Sequence, residues 1–211
     1  YIHVPVAIVC FLAFFVTAAA GGMYLWRKTE GWDLLAAASA EIGVVFTVLT
    51  LATGSIWGRQ TWGTWWQWDP RLTSTALLLV LFLGYLALRQ AITDPVRRAK
   101  IASIAGILAY ADVPVTYYSV DWWRSLHQKA TITTLNPKID GLKLFALMLG
   151  MVVFLLAYVW MMIHRFRYQY VQARLEDQGL DLAIAARRSE GEAAAGPAPD
   201  AVPVASGTVT R

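Results

Sequence analysis

The sequence predicts an all-α integral membrane protein with five spanning helices, and three observations carry that expectation. The mean hydropathy is +0.48. Only 15% of the 211 residues are charged, against about 25% in soluble domains. Several nearly uncharged stretches reach about 20 residues, enough to cross a hydrocarbon core about 30 Å thick. The net charge of +4 therefore points to no nucleic-acid partner; the placement of the charges carries the information instead.

The first predicted span is 4–26, VPVAIVCFLAFFVTAAAGGMYLW, closed by Arg27 and Lys28. Pro5 is acceptable in a first helical turn, where its missing N–H would have no partner anyway. The second is 34–56, interrupted only by Glu41. A loop at 57–71 separates it from the third, 72–88, and Asp69-Pro70 reads as the N-cap and first-turn proline of that helix. The fourth is 101–117 and contains Asp112 and Pro114; a polar loop at 118–141 follows; the fifth is 142–163. Glu41 falls near one end of its span and Asp112 near the other. Acidic groups in such segments are costly and usually functional or paired.

The basic residues set the orientation. Arg27, Lys28, Arg89, Arg97, Arg98, Lys100, Arg165, Arg167, Arg174, Arg187, Arg188 and Arg211 share one side, twelve in all. Arg59, Arg71, Arg124, Lys129, Lys138 and Lys143, six in all, share the other. By the positive-inside rule the first side is cytoplasmic, so Tyr1 and the loops 57–71 and 118–141 face outward. Residues 1–165 form the membrane domain, and 166–211 a cytoplasmic basic segment and tail. From about Leu175 a short stretch of helical potential leads into GEAAAGPAPDAVPVASGTVT. That composition is too poor in large apolar groups to offset ordering entropy, which predicts a disordered C-terminal tail.

The outer loop 57–71 reads WGRQTWGTWWQWDPR, and five of the ten tryptophans fall within twelve residues: Trp57, Trp62, Trp65, Trp66 and Trp68. Interfacial anchoring explains one or two of them. A helical segment would place Trp62, Trp65, Trp66 and Asp69 on one face. The result would be an apolar shelf at the membrane's outer edge, suited to a planar ligand, with Trp122 and Trp123 extending it. Arg71, Arg124 and Lys129 are placed to meet carboxylates on such a ligand, or merely lipid phosphate.

Three histidines are present. His164 ends the fifth span beside Arg165 and reads as an interfacial residue. His3 and His127 lie on the outer side, and two imidazoles from separate segments suit the axial positions of a heme iron. Composition alone supports that weakly. The lone Cys10 excludes an internal disulfide and a Cys-based zinc or iron–sulfur site. The chain has no Gly-rich phosphate loop, serine-nucleophile motif or HExxH, so nucleotide hydrolysis is not expected.

WGTWWQWDPRLTS at 62–74 resembles the WWD signature of the heme-handling membrane proteins of cytochrome c biogenesis. YIHVP at 1–5, TGSIWG at 53–58 and YYSVDWWRSLHQ at 117–128 narrow the resemblance to the cytochrome c maturation protein C (heme exporter protein C) family, over about residues 1–165. The resemblance implies heme b held at the outer face of a bacterial inner membrane. Its axial ligands would be His3 and His127. Trp62, Trp65, Trp66, Trp68, Trp122 and Trp123 would form its shelf, closed by Asp69, with Arg71 and Arg124 near its propionates. It also implies delivery to a periplasmic heme chaperone, cytochrome c maturation protein E, alongside ABC-type exporter subunits, a small one-helix protein and membrane lipid. The family pattern has six spans and this chain begins at the second, so a preceding helix either has been lost or is dispensed with. No enzymatic role is implied. The rivals are a heme lyase acting directly on apocytochrome c, and a structural subunit whose tryptophans only anchor it.

Overall fold

The computed structural model describes residues 1–127 and 140–195. The chain divides into two compact units, Tyr1–Tyr170 and Val171–Arg211. Six helices run through the described residues: α1 (His3–Arg27), α2 (Glu30–Trp62), α3 (Pro70–Ala91), α4 (Pro95–Tyr110), α5 (Asp112–Trp122) and α6 (Gly141–Ala195). The described residues contain no strand. Five stretches are long and apolar enough to cross a membrane, α4 and α5 together counting as one, in agreement with the expectation.

Where element boundaries depart from expectation, the causes are local. The second span was expected to end at 56, but α2 continues to Trp62, because hydropathy marks the edge of the bilayer and not the end of a helix. Gly63 closes α2 in the left-handed region (φ +80°), its N–H bonded to the Arg59 carbonyl at 3.2 Å, and the Arg59 guanidinium meets the Gly63 carbonyl. The fourth span starts early because Asp94 caps Pro95, accepting the Arg97 N–H at 2.6 Å. It also breaks at Ala111. Pro114 lacks the N–H that would bond the Tyr110 carbonyl, and its ring crowds that carbonyl. The loop expected from 118 begins only after Trp122, and its residues 128–139 lie outside the described residues. Those include Lys129 and Lys138. The helical potential beyond Leu175 is realised in α6; of the segment read as disordered, the first five residues end α6 and 196–211 lie outside the described residues.

In the first unit α1 packs against α2 and α4, while α3 packs against α2, α4 and α5. The core centres on Phe14 and Phe82, stacked at 3.6 Å between ring centroids. Gly43 makes room for that stack: a Cβ there would sit 2.6 Å from the Phe14 ring. The run Ala36–Ala40 is buried, as expected where helices approach closely in lipid and polar contacts serve as glue. Ser39 donates to the Ala13 carbonyl at 2.7 Å, and so accepts the Tyr158 hydroxyl at 2.8 Å, tying α1, α2 and α6 together. At the end carrying Arg27 and Lys28, Arg89 grips Asp33 through both carboxylate oxygens at 2.5 and 2.8 Å. Glu41, left without a task by the sequence, pairs with Arg165 and accepts from Gln169 at 3.2 Å. Asp112 stands in the first turn of α5, its Oδ2 buried with no hydrogen-bond partner among the described residues.

Candidate functional site

The opposite end of the first unit gathers the start of α1, the last turns of α2, the start of α3 and the end of α5. His3 is the first residue of α1, and its Nδ1 lies 3.2 Å from the Thr53 hydroxyl of α2. Its ring rests on Gly54, where a Cβ would come within 2.9 Å of the imidazole. Gly54 is therefore a seat for this ring.

The stretch 63–69 is not helical, so the expected single face of Trp62, Trp65, Trp66 and Asp69 does not form. The tryptophans are instead split between two settings. Trp57 and Trp62 sit on the last turns of α2, edge to face at 5.1 Å, with Trp62 lying over Gly58. Trp65, Trp66 and Trp68 sit on the non-helical stretch after Gly63, where Trp65 and Trp68 are largely exposed and Trp66 is half-buried. Trp66 meets Trp68 edge to face at 5.7 Å, and the Thr64 hydroxyl donates to the Trp66 carbonyl at 2.9 Å. Trp122 and Trp123 are exposed at the end of α5, where Trp122 stacks on Tyr118 and meets Trp123 edge to face.

Asp69 joins these parts. As expected it caps α3, accepting the Arg71 N–H at 3.0 Å. It also accepts the Ser125 hydroxyl and the Leu126 N–H, both at 2.7 Å, and its Oδ1 lies 3.1 Å from His127 Nδ1. Burial alone would raise the Asp69 pKa, but the bonds from Ser125, Leu126 and Arg71 and the charge of His127 hold it below the usual carboxylate value. His127 is lowered, by burial first and by Arg71 in addition, against the opposing pull of Asp69. A carboxylate and a neutral imidazole are thus side by side. The His127 ring meets Trp62 edge to face at 4.9 Å.

Arg71 and Arg124 are also at this end. One Arg71 nitrogen is committed to the Tyr117 carbonyl at 2.7 Å, anchoring α3 to α5. Arg124 lines a cleft of about 330 Å³ with Gln67, Trp68, Asp69 and Leu126. Of the sequence-predicted residues, His127 meets Trp62 and Asp69, and Arg124 lines a cleft with Trp68 and Asp69, while Trp122 and Trp123 form a separate cluster at the end of α5. Thr53, Gly54 and Ser125 were missed. Thr53 and Gly54 lie inside TGSIWG and Ser125 two positions before His127, but only the folded geometry gives them a task.

Fold and site together define a polytopic helical membrane protein that presents two imidazoles and a set of exposed indoles at one end of its bundle. The family model for heme exporter protein C matches residues 1–180. The heme exporter protein C of Bradyrhizobium diazoefficiens is 37% identical over 177 residues, 83% of this chain and 67% of that protein. That of Haemophilus influenzae is 40% identical over 173 residues, 82% of this chain and 70% of the relative. A putative cytochrome c biosynthesis ccmC-like mitochondrial protein of Marchantia polymorpha is 35% identical over 139 residues, 66% of this chain and 58% of that protein. The chain belongs to the heme exporter protein C family.

Proposed function

We propose that this protein binds heme b at the outer end of its bundle and delivers it to a periplasmic heme chaperone during cytochrome c biogenesis. The observation that carries this reading is that His3, seated on Gly54, and His127, against Trp62, meet the last turns of α2 from separate segments. The residues suit the cargo. Neutral imidazoles are iron ligands. Indoles offer flat apolar faces at a membrane edge, and guanidinium groups match carboxylates. His3 and His127 are the axial ligands, the tryptophans hold the macrocycle, and Arg71 and Arg124 meet the propionates. Names of the relatives support heme as cargo and cytochrome c biosynthesis as setting.

The excess of Lys and Arg at the other end supports a periplasmic position for this end, in an inner membrane. A site built on exposed indoles at a bundle's rim leaves one edge of the cargo open to a receiving protein, and a closed pocket would not. ABC-type exporter subunits and a one-helix protein complete the proposed assembly. The test is the absorbance spectrum of the purified protein with His3→Ala, His127→Ala and both. Each single change should abolish the low-spin spectrum, and the double change should strip heme. Bound low-spin heme in the double variant would refute the ligand assignment.

A further inference from the structure

Asp69 accepts more hydrogen bonds than a helix cap requires. One bond, from the Arg71 N–H, satisfies the start of α3; the other three come from Ser125, Leu126 and His127. Its side chain is only 2% exposed. Backbone N–H groups can only donate, so each carboxylate oxygen is already an acceptor: Oδ1 from Arg71 and Oδ2 from Leu126. The His127 Nδ1 facing Oδ1 must then carry the hydrogen, which leaves the lone pair on Nε2. His3 reaches the same tautomer by a weaker route. The single Thr53 hydroxyl hydrogen goes to the Leu49 carbonyl at 2.7 Å, so its oxygen accepts from His3 Nδ1.

Both rings thus offer Nε2, but their supports differ in charge. A carboxylate behind a ligating imidazole raises its basicity and fixes its orientation; a neutral hydroxyl already spent on a carbonyl does so less. Their backbones differ too. His3 stands on a helix end, while His127 is in a segment clamped by Ser125 and Leu126, and its own N–H bonds the Ser125 oxygen at 3.1 Å. We propose that Asp69 is a positioning residue that makes His127 the anchoring axial ligand and leaves His3 as the ligand that yields when heme is handed on. The proposal rests on the heme reading above and assigns the two sides of the iron unequal roles. A carrier needs that inequality, because one bond has to hold while the other is exchanged.

The first test uses the heme-free protein without substitution. Nitrogen-15 shifts of labelled histidine should show His127 with the hydrogen on Nδ1, and a hydrogen on Nε2 would overturn the inference whether or not Asp69 variants fold. The second uses heme-loaded protein. Asp69→Asn should weaken heme retention by about 10- to 100-fold and move the reduction potential positive. Ser125→Ala, which loosens the same clamp without removing the charge, and Thr53→Val should leave the potential near that of the unaltered protein. Equal shifts in Asp69→Asn and Ser125→Ala would reduce Asp69 to a structural cap and overturn the proposal.

Carbon monoxide provides the third test, because it replaces one axial ligand on ferrous iron. The iron–histidine stretch after photolysis then reports the ligand that stays. It should fall in Asp69→Asn and hold in Thr53→Val; the reverse pattern would make His3 the anchor. Unaltered protein that carries no heme would refute the heme reading, while the tautomer measurement would still decide the role of Asp69.

Discussion

The two ends of the bundle each bury an aspartate, and they use it differently. At one end Asp33 faces Arg89, which lies over the Tyr85 ring at 5.8 Å and grips both carboxylate oxygens. The charge is cancelled by a fixed cation, and the pair locks α2 to α3. At the other end Asp69 is held by two backbone N–H groups, a hydroxyl and an imidazole. Among the described residues no guanidinium or ammonium group is hydrogen-bonded to it as Arg89 is to Asp33, although the Arg71 charge acts on it, and one of its oxygens faces His127. Like residues at like depth therefore differ by partner: Asp33 is a strut, and Asp69 is a support for another group.

The largest effect should come from breaking the strut. Asp33→Ala leaves the Arg89 guanidinium buried without its carboxylate, which should cost about 3–5 kcal/mol. Thermal unfolding in detergent measures it, and the low-spin spectrum of any heme that remains bound should be unchanged. A heme spectrum that changed with Asp33 would show that the two ends are not independent. Gly43→Ala probes the packing between them. Its new methyl would meet the Phe14 ring, itself stacked on Phe82. We expect a loss of about 1–3 kcal/mol, in the same measurement.

The spans were legible because bilayer thickness writes itself directly into hydropathy, as for α1 and α3. Helix ends were legible only where chemistry was local. Asp69-Pro70 announces the start of α3, whereas the same Asp-Pro signal at 94–95 starts α4 six residues before the expected span, because Arg97, Arg98 and Lys100 lower the local hydropathy there. The continuation of α2 through polar Arg59 and Gln60 lay beyond the hydropathy signal. At the site, His3, His127 and the tryptophans could be named from residue type and side of the membrane. The Asp69–His127 contact spans 58 positions, and no pattern of local spacing encodes it. The same holds for Gly54, whose small size matters only because α1 starts beside it.

A smaller effect tests the boundary between helix and shelf. Gly63 ends α2 at φ +80°, a region where a side chain costs about 1–2 kcal/mol. Gly63→Ala should lower the unfolding temperature slightly and weaken heme retention more than an equally destabilising change near Asp33. A shift in stability with no change in heme retention would mean that Trp62 and Trp65 act without a fixed turn between them.

Acid should separate the two ends most gently. The folded His127 titrates below its ordinary value of 6.5, so as pH falls through about 6.5 the unfolded state takes up a proton that the folded state resists. Stability should therefore decline with acidification across the window between that value and the lower folded one, and level off beneath it. Asp69 acts in the same direction at lower pH, since its folded pKa is depressed and its contribution disappears as the carboxylate is protonated. In heme-free protein the first decline should appear at the Leu126 amide in hydrogen exchange, and His127→Gln should flatten it. Around Asp33 the carboxylate is held by Arg89, which stays charged throughout, so the amides of α2 there should keep their protection. A pH-dependent loss of protection there, matching that at Leu126, would show that the clamp at one end and the strut at the other open as a single unit.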